Sequence, residues 1–217
     1  MPRARPPIRH NVGVITVFIA TLAALLPITN PLGAVAAFAG LTSRFDARTQ
    51  HAQAWRTGLY VGGILVVFTA IGTVLLSVLG ISLAALQIAG GLVVMHAGFG
   101  MIVPRVVATP DEQAEAQTKA DISFSPMALP LVAGPGAIGV VIGLAARNPD
   151  VLDRVAIAAA SVVIAVVVAL VLRYGTPLVD KLGPTGIGAL TRVMGFLILA
   201  IGVELAIHGV LAAVPSL

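Results

Sequence analysis

Two short stretches carry the residues best suited to chemistry: Thr29-Asn30-Pro31-Leu32-Gly33 and Gly134-Pro135-Gly136-Ala137. Each places helix-breaking residues inside an apolar run. Proline lacks a backbone donor and clashes with the preceding turn, which costs about 3 kcal/mol within a helix. Asparagine is a preferred N-cap and proline is favoured at the first helical position. Asn30-Pro31 therefore reads as a stop near Ile28 followed by a restart at Pro31. The restarted half-helix would point the amides of Leu32 to Ala34, with their partial positive charge, into the membrane. Gly134-Pro135-Gly136 can do the same in the second half of the chain, where glycine also admits a ligand close to the backbone. Two such ends suit a carboxylate, and the nine residues of the two stretches form the candidate substrate site. The competing reading is a pair of structural kinks healed by neighbouring helices. Thr29 either adds a hydroxyl to the first break or bonds back within its own helix.

Two charges stand deep in the last apolar run, Arg192 and Glu204. Each costs about 2.5–3.5 kcal/mol if central and lipid-facing. They are 12 residues apart, about 18 Å along a helix, so they do not pair. Arg192, nearer the helix start, either snorkels to the interface or satisfies carbonyls freed by a broken helix, and it is assigned a structural or gating role. Glu204 has His208 at i+4 and suits either a coupling proton relay or an interfacial ion pair. His96 reads as a packed, hydrogen-bonded histidine. The chain has no HExxH, GxSxG or P-loop motif and no cysteine, so neither an enzyme, a cofactor nor a metal site is expected.

The elements that must position these residues are membrane helices. Mean hydropathy is +1.03, and 58% of residues are hydrophobic against 10% charged, which excludes an ordinary soluble domain. No residue carries a formal charge from Asn11 to Ser43 or from Thr57 to Pro104, apart from the neutral His96. Both runs exceed the roughly 20 residues needed to cross a bilayer core. The pI near 10.3 comes from basic residues scattered over short loops, which fits anionic lipid and topology better than nucleic acid.

The expected organisation is a basic tail at 1–11, a first membrane repeat at 12–103, a polar connecting loop at 104–125 and a second repeat at 126–217. The tail precedes an apolar run as a signal peptide would, but the run continues past any plausible cleavage site to Ser43. Crossings are expected at about Val12–Ile28 with Pro31–Leu41, Thr57–Leu79, Leu83–Val103, Pro126–Ala146, Val155–Leu172 and Gly186–Ala213, with a polar loop at Arg44–Arg56. An offset of 104 residues carries Pro31 onto Pro135, Gly91 onto Gly195 and Gly98 onto Gly202. That coincidence indicates an internal duplication. With three crossings per half the second repeat is upside down relative to the first. The fold expected is all-α and polytopic, with about six transmembrane helices in two inverted repeats whose first helices are broken. Glycines every seven residues at Gly188, Gly195, Gly202 and Gly209, and again at Gly91 and Gly98, predict close helix packing. Five basic residues on the side of the termini against eight on the other favour both termini outside.

The motifs Leu26-Pro27-x-x-Asn30-Pro31-Leu32, Leu129-Pro130-x-x-x-Gly134-Pro135-Gly136-x-Ile138, Ile88-Ala89-Gly90-Gly91-Leu92 and Thr191-Arg192-Val193-Met194-Gly195-Phe196 resemble the MarC family, from about Val12 to Val210. That family is grouped with the small neutral amino-acid transporters often called NAAT. The resemblance implies a six-helix, multi-pass bacterial or archaeal inner-membrane protein that transports glycine, alanine or similar amino acids. Family members commonly carry an amide where Glu204 stands and Asn where His208 stands, so coupling transfers less directly than fold. The expected function is secondary transport, with the substrate at the half-helix N-termini near the midplane. The rivals are a translocase of a phosphorylated lipid carrier and a non-transporting membrane partner. Expected partners are a small-molecule substrate, the lipid bilayer and a coupling proton or sodium ion, with no nucleic acid and with homo-oligomerisation left open.

Overall fold

The computed structural model describes residues 13–103 and 121–214. The expected basic tail, and the connecting loop as far as residue 120, lie outside the described residues. The described residues form helices only: α1 Val14–Thr29, α2 Pro31–Leu41, α3 Ala47–Val78, α4 Leu83–Ile102, α5 Ser123–Val132, α6 Pro135–Arg147, α7 Val151–Tyr174 and α8 Thr176–Ala213. Five runs are long and apolar enough to cross a membrane, counting Val14–Leu41 as one, and a sixth if α5 and α6 together make one bent span. Ile15, Leu59 and Val78 stand exposed while Leu25, Phe38, Leu65 and Ile164 are buried. An apolar exterior around an apolar core is what a lipid solvent permits.

Several boundaries differ from expectation. The polar segment 47–56 is the start of α3, not loop. Hydropathy marks the part of a helix in hydrocarbon, and α3 at 32 residues is about 48 Å long against a core of about 30 Å. Its first turns therefore project into water. Likewise α8 begins at Thr176, ten residues before the expected Gly186, with its path broken at Gly183 (φ 61°). The span expected at Pro126–Ala146 with an interruption at Gly134-Pro135-Gly136 is two helices inclined by 63° about that interruption, the first of them beginning at Ser123. In α5, Ser125 and Leu129 are extended, each preceding a proline across a cis bond. The residue before proline disfavours the helical region. The amides of Met127 and Ala133 consequently reach back five residues, to Ile122 and Ala128.

Two antiparallel helix pairs make the frame. In the α4–α8 pair the seven-residue glycine spacing brings backbone against backbone. A methyl carbon placed on Gly91 would lie 2.7 Å from both Gly202 O and Ala206 N, and one on Gly98 2.5 Å from Leu199 N and 2.7 Å from Gly195 O. In the α3–α7 pair, Gly58 and Gly62 lie against Ala165 and Ala169. Around this frame α2 packs on α7 and α8, whereas α6 packs on α3 and α4. Buried hydroxyls are spent locally: Thr21, Thr42, Thr57, Thr69 and Ser161 each donate to the carbonyl four residues earlier at 2.7–2.9 Å.

The entrance to α5 is tied to α3. Ile122 N donates to the buried Gln53 Oε1 at 3.2 Å, and Arg56 meets Asp121 at 3.1 Å. The Ser123 hydroxyl, and less strongly the Arg56 guanidinium, hold the Asp121 carboxyl below its ordinary value. A lowered carboxyl pKa adds stability above the unfolded value, lost only as pH falls through the folded one. This tie therefore persists through neutral and mildly acidic conditions.

Gly98→Ala should destabilise the folded protein by about 1–3 kcal/mol, the usual range for overpacking. Gly63→Ala, where nothing lies within 4 Å, should be neutral or slightly stabilising. Unfolding of both variants in mixed micelles of increasing SDS fraction measures the difference.

Candidate functional site

The first break is built by Asn30. It is the only non-glycine residue with positive φ among the described residues (φ 42°, ψ 62°). Asparagine tolerates the left-handed region better than other side chains because its short amide bonds locally. Here Oδ1 accepts from Gly33 N at 3.2 Å, while Nδ2 lies 3.8 Å from Met101 Sδ on α4. Pro31 follows as the first residue of α2 and has no donor to lose. Ala34 N returns to Asn30 O at 3.0 Å. Of the three amides expected to face a ligand, Gly33 and Ala34 are thus committed within the turn, and Leu32 alone is not bonded by the cap. Thr29 is buried, and its hydroxyl donates to Leu25 O at 2.9 Å. It bonds back within α1, the second of its two readings.

The second break has the same proline position but a different chemistry. Gly134 is extended (φ −72°, ψ 178°) and has no side chain to cap α6. The amides of Gly136 and Ala137, both buried, keep their donors free of any side-chain cap. A Cβ on Gly134 would sit 2.5 Å from Pro130 O, and one on Gly136 would collide with Val94 of α4 and lie 3.7 Å from Ile28 Cγ2. Ile28 is two residues before Asn30, so the two interruptions meet inside the bundle, with α4 beside both.

Arg192 and Glu204 do not join them. Arg192 is exposed on α8. Glu204 lies against a cavity of about 460 Å³ walled by α1, α4, α6 and α8. Its Oε1 is 3.5 Å from His208 Nδ1, which also sits 3.0 Å from the Glu204 carbonyl oxygen. The same cavity is lined by Gln87 and Arg147, which sequence reasoning did not single out. With the Gln87 amide turned so that its oxygen faces Arg147, that oxygen accepts from Nη2 at 2.6 Å and Nε at 3.2 Å. Neither residue belongs to a motif. The available signal was that a glutamine early in one apolar run and an arginine at the end of another need partners. A second cavity, about 370 Å³ between α3 and α7, is lined by glycines, aliphatic side chains and Trp55, whose indole is its one polar side chain.

Replacing Asn30 by Ala removes the cap, worth about 1 kcal/mol, and puts a Cβ-bearing residue without local bonding in the left-handed region, about 1–2 kcal/mol more. Asn30→Gly loses the cap but keeps the backbone conformation. Thermal melts in detergent should therefore rank wild type above Asn30→Gly, and Asn30→Gly above Asn30→Ala.

Known proteins place the chain. The model of the MarC family integral membrane protein matches residues 15–214. The UPF0056 inner membrane protein MarC of Salmonella typhimurium (strain LT2) is 34% identical over 208 residues, covering 90% of this chain and 94% of that protein. The protein of the same name from Escherichia coli (strain SMS-3-5) is 33% identical with the same coverage. No solved structure matches. Several apolar helices together with relatives named as inner membrane proteins make this a multi-pass inner-membrane protein, and the chain belongs to the MarC family.

Proposed function

We propose that this protein is a secondary transporter of small neutral amino acids of the glycine and alanine class, built as two inverted repeats, with its substrate held where the two interruptions meet. The observation that carries this reading is the approach of the two interruptions, with Ile28 Cγ2 3.7 Å from where a Cβ on Gly136 would stand, beside one helix N-terminus without a side-chain cap. Non-helical backbone deep in a bilayer is tolerated where it is enclosed by protein or lines a wet cavity. Interrupted helices meeting at the repeat interface are the usual setting of a transporter site. The substrate carboxylate is placed on the Gly136 and Ala137 amides, with the Asn30 turn closing the opposite side. Pro31, Leu32 and Gly33 contribute backbone and shape.

The packing supports the inverted repeat. Gly91 meets Gly202 and Gly98 meets Gly195. At the 104-residue offset these two contacts are images of each other, as expected across a two-fold axis. Helix partners exchange in the same way: α2 with α7 and α8 answers α6 with α3 and α4, and α1 with α7 answers α5 with α3. Alternating access then comes from α1, α2, α5 and α6 rocking against the α4–α8 frame. A proton or sodium gradient drives the cycle, with Arg192 as a gating charge. The excess of basic residues opposite the termini puts both termini outside.

Uptake and counterflow of glycine, alanine and serine into proteoliposomes test the reading. At least one should accumulate, and both Asn30→Ala and Gly134→Leu should lower its flux at least tenfold while the protein stays folded in detergent. Flux unchanged by either substitution removes the assigned site, and absence of flux for all three solutes removes the substrate class.

A further inference from the structure

The cavity beside Glu204 combines features that the broken helices do not explain. Its walls are small and apolar, with Ala20 and Ala24 of α1 facing Val140 and Gly143 of α6. Its polar groups are of opposite sign. Arg147 ends α6 and brings a guanidinium whose Nε and Nη2 are held by the Gln87 oxygen. Gln87 is 3% exposed, so the orienting group is itself part of the interior. Glu204 brings a carboxylate from α8, flanked by His208. Among the described residues the ion pairs within 4.0 Å are Arg56–Asp121 and Glu204–His208. Arg147 and Glu204 therefore line one space without neutralising each other. Arg147 is exposed at the end of α6 and the Glu204 side chain is exposed on α8, so the two charges border the mouth of the cavity and are both reachable by a solute.

The location adds to this. Val140, on the cavity wall, is four residues from Gly136, and Ala24 is four residues from Ile28. The cavity thus ends about one helical turn, some 6 Å, short of the meeting point of the two breaks. Arg147 and the last turns of α8 lie toward the membrane face that carries the α3–α4 turn and the α6–α7 loop, so the cavity leads inward from that face. At the 104-residue offset Gln87, Arg147 and Glu204 correspond to Thr191, Ser43 and Gly100. The charges exist on one side only.

We infer that this cavity is a binding site for a small zwitterion carrying one carboxylate and one ammonium group, the carboxylate on Arg147 and the ammonium on Glu204, and that it is the entrance to the central site from the face of the termini. Its volume lies within the usual range for small-molecule sites. With Nε and Nη2 on the Gln87 oxygen, Nη1 is the guanidinium nitrogen left to bond an anion, and planar forks of this kind recognise carboxylates. Glu204, with its side chain 67% exposed, stays accessible to a cation. The entrance role rests on the transporter reading, whereas the binding site does not.

Equilibrium binding to the purified full-length protein in detergent, where no flux exists, tests the site with three probes of nearly one shape: alanine, propionate and ethylamine. Wild type should bind alanine at least tenfold more tightly than either singly charged probe. Arg147→Gln should weaken alanine at least tenfold and leave ethylamine unchanged. Glu204→Gln should weaken alanine likewise and leave propionate unchanged. Arg147→Lys should recover part of the loss. If Arg147→Gln fails to fold, Glu204→Gln decides alone, since its side chain is 67% exposed and its ion pair among the described residues is with His208. Equal binding of the three probes, no alanine binding, or alanine binding indifferent to both substitutions overturns the site. Alanine binding without proteoliposome flux would refute transport and keep the zwitterion site, and flux without this charge pattern would do the reverse.

Discussion

Every backbone group released from a helix within hydrocarbon must find a partner inside the protein, because lipid supplies none. The architecture follows from how two proline-bearing stretches meet that demand. At Asn30 the side chain answers it: a left-handed turn, one amide capped and a second returned to the Asn30 carbonyl. At Gly134 no side chain is present, and the first amides of α6 keep their donors free of a side-chain cap. The two proline-bearing turns thus differ in chemistry. One turn caps itself with its own side chain, and the other has no side chain with which to do so.

The frame has a different physical origin. Between lipid-exposed helices there is no hydrophobic drive, so association depends on close van der Waals contact and small residues. The α4–α8 pair meets this with glycine every seventh residue, bringing backbones to a distance that no side chain would allow. The α3–α7 pair uses Gly58 and Gly62 against alanines in the same manner. The remaining helices carry the interruptions and pack on this frame through larger side chains such as Phe38, Leu25 and Met127, contacts that can shift more easily than interlocked glycines.

Much of this was legible in the chain because it depends on local chemistry. Asn-Pro and Gly-Pro-Gly interrupt a helix wherever they stand, and a seven-residue glycine period marks a packing face in any apolar helix. The amphiphilic start of α3 was missed because hydropathy reports the solvent around a helix and not its length. The wide turns of α5 were missed because a proline inside an apolar run reads as a kink, whereas Pro126 and Pro130 each hold the residue before them extended while the chain goes on turning. The bonding of the Asn30 turn to itself was also out of reach, since an N-cap and an open anion site share one sequence signature.

By itself the sequence determined that the chain is helical and membrane-embedded, where its helices are interrupted and which faces are lined with glycine. These are properties of single segments in a lipid solvent. Only the tertiary structure decided that Ile28 and Gly136 become neighbours, and that Gln87, Arg147 and Glu204 border one cavity while Arg192 stands outside it. Those residues are separated by 57 to 117 positions and share no periodicity. Their convergence follows from how four helices cross, and crossing angles depend on the summed packing of whole surfaces, not on any one motif.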